Sequence, residues 1–206
     1  MDEGVAGLVL AAGAGSRFGG PVAKVLAPFR GRPLVEWPLA ALGAGGVART
    51  FVVLGADADA IEAGADLGGA EVVRCSGWSE GLSASLRAGV AAAAAAGFTA
   101  AVVVLGDQPL LSGDAVARIL AARSPGSLDA IRATYAGIPG HPTLLESSTF
   151  PAIATLRGDA GARELLRAPS TRVRLVACDG LGRPDDADTP EALERLASLP
   201  LSPPRP

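Results

Sequence analysis

Along the chain, short apolar runs of strand length alternate with segments whose apolar positions recur every three or four residues. Residues 5–10, 50–54, 71–74, 101–105, 129–133 and 172–177 have the β-branched or continuously apolar character of buried strands. Residues 33–42, 58–65, 83–96, 113–122, 160–166 and 190–196 carry helical spacing, several of them opened by Pro, Ser or Asp in the first turn. Regular alternation of the two predicts an α/β sandwich with a mostly parallel sheet. Pro38 falls inside the first helical pattern and removes a backbone donor there, which predicts a kink or a late start.

The longest uncharged stretch, residues 88–105, has the length of a membrane span. Its six consecutive alanines are only weakly apolar, and Gly97, Phe98 and Thr99 divide it, so it reads as a buried helix followed by a buried strand. Asp2 and Glu3 stand where a secretory signal would carry positive charge, so no export signal is expected.

Length and composition narrow the picture further. The 206 residues fit one domain, residues 1–198, with a tail at 199–206 whose four prolines predict no fixed structure. With 18 basic against 21 acidic residues the formal net charge is -3, which lacks the broad basic surface of a general nucleic-acid binder. Hydrophobic residues make up 49% and aromatic residues only 4%, which predicts a core of small, close-packed aliphatic groups. Cys75 and Cys178 are too few for a disulfide framework or a thiolate zinc site, and they suit a reducing cytoplasm as inert thiols. His141 is the only histidine, which excludes a multi-histidine metal cluster. Trp37 and Trp78 read as packing anchors.

In an open parallel sheet the ligand crevice lies beyond the carboxyl ends of the strands. The segments following the strand candidates, at 11–24, 55–59, 77–85, 106–109, 137–142 and 185–190, are also the richest in Gly and polar residues. The first runs from Leu10 through Ala11, Ala12, Gly13, Ala14, Gly15, Ser16 and Arg17 to Gly20, with Lys24 beyond it. Small residues there let backbone amides approach phosphate oxygens, and the two cations add charge neutralisation. Gly13 and Gly15 supply two glycines of a dinucleotide fingerprint, but Phe18 occupies the third position; a Walker A loop fails because Val25 follows Lys24.

Asp107, two residues past the fourth strand, puts a carboxylate at the carboxyl edge of the sheet. Magnesium takes one or two protein carboxylates and completes its shell with phosphate and water, so Asp107 suits a magnesium-nucleotide. Asp186 and Asp188 offer a second acidic group after the last strand, and Asp188 equally fits a helix N-cap ahead of Pro190; both readings stay open.

Taken in order, LAAGAGSR with its following Lys, GDQP, GIPGHP and DADTPEAL resemble the MobA-like nucleotidyltransferases, most closely the molybdenum cofactor cytidylyltransferase branch. The resemblance covers residues 5 to about 196 and implies a Rossmann-like three-layer fold with a mostly parallel mixed sheet. It implies that Leu10, Ala11, Ala12, Gly13 and Gly15 hold the nucleotide, with Arg17 and Lys24 on the triphosphate. Asp107 is the implied ligand of magnesium, or manganese in its place, with Asp188 second. Gly81 and Ser85 belong to the segment that closes over the base, and Gly140, His141 and Arg163 to the acceptor side. Cytidine is favoured because the guanylyltransferase branch reads Ala-Gly-Gly where this chain has Ala11-Ala12-Gly13. The interval between Arg17 and Lys24 is longer than the family pattern has.

These residues imply transfer of CMP from CTP to a phosphate-bearing acceptor, a molybdopterin or molybdenum cofactor, with release of pyrophosphate and a molybdoenzyme as recipient of the product. An acceptor phosphate is already anionic at neutral pH and attacks without a general base, so one histidine suffices. Two rivals remain: an NAD(P)H-dependent oxidoreductase built on the partial glycine fingerprint, and a non-catalytic carrier of the molybdenum cofactor.

Overall fold

The computed structural model describes residues 4–19 and 22–200. Nine strands and seven helices alternate among them: β1 Val5–Ala11, β2 Pro28–Phe29, β3 Arg32–Pro33, α1 Glu36–Ala44, β4 Arg49–Leu54, α2 Ala58–Gly64, β5 Glu71–Arg74 and α3 Leu82–Ala95, then β6 Ala100–Leu105, α4 Gly113–Ala121, β7 Ala130–Tyr135, β8 Ile138–Glu146, α5 Phe150–Ile153, α6 Arg163–Arg167, β9 Val173–Ala177 and α7 Pro190–Ser198. Seven strands form one sheet in the order β5-β4-β1-β6-β8-β7-β9, and β2 and β3 form a separate small hairpin. Every pairing in the large sheet is parallel except the two that β8 makes with β6 and β7. The fold is the expected three-layer α/β sandwich with a mostly parallel mixed sheet.

The period-two pattern sorts the strand residues between two helical layers. Val9 and Ala11 of β1, Val52 and Leu54 of β4, and Val102 and Val104 of β6 face the layer that contains α1, α2 and α4. Leu8 and Leu10, Phe51 and Val53, and Ala101 and Val103 face the layer built from α3, α5 and α6. A third cluster, around Phe29, Leu34, Leu110 and Leu196, fixes the hairpin and α7 beside the sheet edge. Trp37 anchors it as expected: its ring meets Phe29 edge-on at 5.4 Å and its Nε1 donates to the Phe29 carbonyl at 3.1 Å.

Three expectations need correction. Residues 137–142 are not a loop after a strand; they turn the chain into β8, an antiparallel strand inserted between β6 and β7. Its prolines are tolerated because β6 pairs with β8 only from Thr143 onward, while the β7 register shifts between Arg132 and Thr134. The helix expected over 160–166 is split into a 3-10 turn at Gly158–Ala160 and α6, with Gly161 between them at φ 54°. At the tail, Leu199 packs against the third cluster and its amide donates to Leu196 O at 3.2 Å; residues 201–206 lie outside the described residues. The first helix starts late, at Glu36, so Pro38 sits in its first turn, where no intrahelical donor is needed. Residues 88–105 divide between α3 and β6, and no described helix is long and apolar enough to cross a membrane.

Candidate active site

The carboxyl ends of β1 and β6 lie side by side. At the end of β6, the Gly106 amide donates to Leu10 O at 2.9 Å, and a Cβ on Gly106 would stand 2.8 Å from that of Ala11. Only glycine permits this approach, which delivers the next residue, Asp107, beside the loop that follows β1. That loop turns at Gly15, with φ 60°, and a Cβ there would lie 2.6 Å from Lys24 Cβ. The glycine loop therefore rests directly on the stem of Lys24, which begins a short 3-10 turn. From the far end of the chain, the Ala187 amide donates to Asp107 O at 2.9 Å and pins Asp188 alongside.

Lys24 Nζ lies 2.5 Å from Asp107 Oδ2 and 2.8 Å from Asp188 Oδ1, and Arg17 reaches Asp188 Oδ2 at 3.0 Å. The longer Arg17–Lys24 interval thus leaves Lys24 within reach of both carboxylates. Burial works to lower the Lys24 pKa, but the two carboxylates outweigh it and hold the ammonium above its ordinary value. The hydrogen bond from Lys24, opposed by burial and reinforced by Arg17, holds Asp188 below the usual carboxylate range. Asp186 moves the other way, pushed up to about 6 by burial and the neighbouring Asp107 charge, although Gln108 Nε2 donates to it at 2.8 Å. Thr189, not Asp188, caps α7 by accepting from the Ala192 amide, so the Asp188 side chain is turned to the cluster.

One oxygen of this cluster has no partner among the described residues. Asp107 Oδ1 is buried and accepts no hydrogen bond, as is Gln108 Oε1 beside it, and a buried carboxylate oxygen left unpaired is costly. No described group of three or more His, Cys, Asp or Glu forms a metal cage. The arrangement instead offers two carboxylates with a lysine between them, a donor set that fits a hard cation completed by phosphate and water.

The residues expected to bind nucleotide share one continuous cleft. Leu10, Ala11, Gly13, Gly15, Arg17, Lys24, Asp107 and Asp188 line a cavity of about 440 Å³. Ala12, Gly81 and Ser85 line its extension, about 370 Å³, together with Trp78, which has a place in the cleft as well as in the core. Asp159, which the motif reading did not single out, borders both parts and accepts from the Leu82 amide at 3.3 Å. On the far side of Leu10, Leu82 and Leu105 a narrower recess contains His141 and Arg163, with Gly140 behind them packed on Pro184. Burial and the nearby Arg132 push the imidazole down to about 4, so His141 is neutral at physiological pH.

A model of the MobA-like NTP transferase domain matches residues 7–174. The chain belongs to that family. Among relatives, it is 40% identical over 199 residues to a protein named nicotine blue oxidoreductase from Paenarthrobacter nicotinovorans, covering 93% of this chain and 96% of that one. Among solved structures it is similar to Rv0371c of Mycobacterium tuberculosis H37Rv, at 30% identity and TM-score 0.82 over 95% of this chain and 99% of that one; a complex of Rv0371c with manganese matches at TM-score 0.77, 29% identity, over 95% and 100%. A nucleotidyl transferase from Methanothermobacter thermautotroptrophicus matches at TM-score 0.77 and 25% identity over 94% and 95%. The family model and the match to a nucleotidyl transferase support the nucleotidyltransferase class for this chain.

Proposed function

We propose that the protein transfers CMP from CTP to a phosphate-bearing acceptor, a cofactor of the molybdopterin type, and releases pyrophosphate. One observation carries this reading: Lys24 is held between Asp107 and Asp188 beneath a glycine-rich loop, with one oxygen of Asp107 buried and unpartnered. Asp107 and Asp188 would hold magnesium or manganese. Such a cation, when bound, neutralises charge on the triphosphate and on the departing pyrophosphate.

The chain's own groups account for the rest. Amides of the loop after β1 approach the phosphates, and the side chains of Arg17 and Lys24 turn from their carboxylates toward the triphosphate. Gly81, Ser85 and Trp78 border the space for the base, and His141 and Arg163 the space for the acceptor. An acceptor phosphate oxygen forms a bond to the α-phosphorus as the bond from that phosphorus to the bridging oxygen breaks, so no proton need be removed. A molybdoenzyme that takes up the nucleotide form of the cofactor is the partner this reading implies.

A second reading, an NAD(P)H-dependent oxidoreductase, is favoured by the name of the 40%-identical relative. It would use the glycine loop for a dinucleotide pyrophosphate and leave the Lys24–Asp107–Asp188 cluster without a task. Thermal unfolding with CTP, GTP, ATP, UTP, NADH and NADPH, each with and without magnesium, separates the two. At a hundred times its dissociation constant a ligand adds about 2.7 kcal/mol, which corresponds to roughly 5–10 °C for a domain of this size. The expected result is a magnesium-dependent rise that is largest with CTP. A rise with NADH or NADPH alone would favour the oxidoreductase, and a rise with a pterin but no nucleotide would favour a carrier.

A further inference from the structure

Arg132 and Arg163 line the acceptor recess, and Arg167 stands one turn along α6 from Arg163. Arg132 lies half-buried in β7, a strand otherwise free of charge. Its Nε and Nη2 reach the carbonyls of Gly140 and Pro139 only at 3.4 and 3.5 Å, the long limit of a hydrogen bond. Arg163 and Arg167 stand one turn apart on α6, and their charges add to burial in holding Arg132 below its ordinary pKa. None of the three has a carboxylate partner within 4 Å among the described residues. Some arginines elsewhere are paired with acids, as Arg123 is with Glu146 at 2.8 and 2.9 Å and Arg172 with Asp129 at 2.9 Å, and others, such as Arg118 and Arg174, bond backbone carbonyls at 3.0 Å. Only Arg132 is partly out of water, and two exposed like charges beside it make that burial less favourable, which an anion among the three would reverse.

The recess itself has two characters. Arg132, His141 and Arg163 give it a polar side, and Leu86, Leu145 and Leu166 an apolar one. The His141 imidazole makes no hydrogen bond among the described residues; Tyr135 Oη donates to the His141 backbone carbonyl, at 2.9 Å. As a neutral ring it keeps one donor and one acceptor free for a ligand. Because Leu10, Leu82 and Leu105 line both this recess and the nucleotide cleft, a molecule held here can reach a nucleotide held there.

We infer that Arg132, with Arg163 and Arg167, binds an oxyanion, phosphate or carboxylate, carried by an apolar body that packs on Leu86, Leu145 and Leu166 while His141 orients it. This rests on the nucleotidyl-transfer reading and adds Arg132 and Arg167 to its acceptor side. It restricts the acceptor to compounds that carry an acidic substituent on an apolar body.

Because His141 is the only histidine, its imidazole proton resonances report on the recess without ambiguity. The full chain is titrated with phenyl phosphate, benzoate and the neutral benzyl alcohol. The anions are expected to move the His141 resonances and benzyl alcohol to leave them in place, the tighter anion identifying phosphate or carboxylate as the recognised group. Arg132→Gln and Arg163→Gln are each expected to weaken anion binding at least about tenfold, or 1.4 kcal/mol, and the remote Arg49→Gln to leave it unchanged. An equal response to benzyl alcohol, no response to either anion, or unaltered anion affinity in the two variants would overturn the inference. If Arg132→Gln does not fold, Arg163→Gln, on the exposed side of α6, decides alone. Magnesium–CTP stabilisation of the same wild-type sample separates the failures: its absence counts against nucleotidyl transfer, and its presence without anion binding counts only against this pocket assignment.

Discussion

Asp107→Ala is expected to slow pyrophosphate release from CTP by about a hundred- to a thousandfold, the range typical of removing one preorganised group from a charged transition state. Three features place the effect here and not in the fold. The Asp107 Oδ1 has no partner to lose among the described residues, Lys24 keeps Asp188 at 2.8 Å when the pair with Oδ2 is removed, and the backbone carbonyl that the Ala187 amide uses survives the substitution. The variant should therefore fold and retain the cleft, while magnesium no longer increases its affinity for CTP. Steady-state pyrophosphate release and the magnesium dependence of CTP binding are the two readouts. Wild-type rates in the variant would remove Asp107 from the mechanism.

Lys24→Ala should act in two directions at once. Without the ammonium, transfer is expected to fall by about a hundredfold, because a cation is lost from the triphosphate. In the free protein, however, Asp107 and Asp188 lose the cation that sits between them, 2.5 and 2.8 Å away. They should then bind manganese more tightly than the wild type does when no nucleotide is present, since Lys24 no longer competes for them. The metal-free variant should also lose about 1–2 kcal/mol of stability, less than a fully buried pair would cost, because Arg17 stays on Asp188 and water reaches the site. Manganese titration and denaturant unfolding measure the two effects. Weaker manganese binding in the variant would mean that Lys24 and the metal do not share these carboxylates.

The layers of the fold were legible because each strand and helix carries its own period, and the clefts beyond the strand ends were legible because their glycines and carboxylates interrupt it. Strand order was not, since nothing local says that β8 crosses back between β6 and β7. Pro139 and Pro142 pointed to a loop, and only the register shift opposite β7 makes room for them in a sheet. From the sequence Asp188 fits a cap ahead of Pro190 as well as it fits a second acidic ligand; the cap is Thr189, which leaves Asp188 to Lys24. Arg132 went unnoticed inside an apolar run. Its signal was there, a lone charge at the centre of a buried strand, but which groups surround it depends on α6, some thirty residues further along the chain.

The most direct test is the fate of the α-phosphate of CTP. With CTP labelled at that phosphorus, magnesium and molybdopterin, label is expected to enter the acceptor with one pyrophosphate released per label transferred, and Asp107→Ala to slow both by about a hundred- to a thousandfold. Label that stays in CTP, with the wild-type chain oxidising NADH or NADPH in the presence of an electron acceptor, would contradict nucleotidyl transfer.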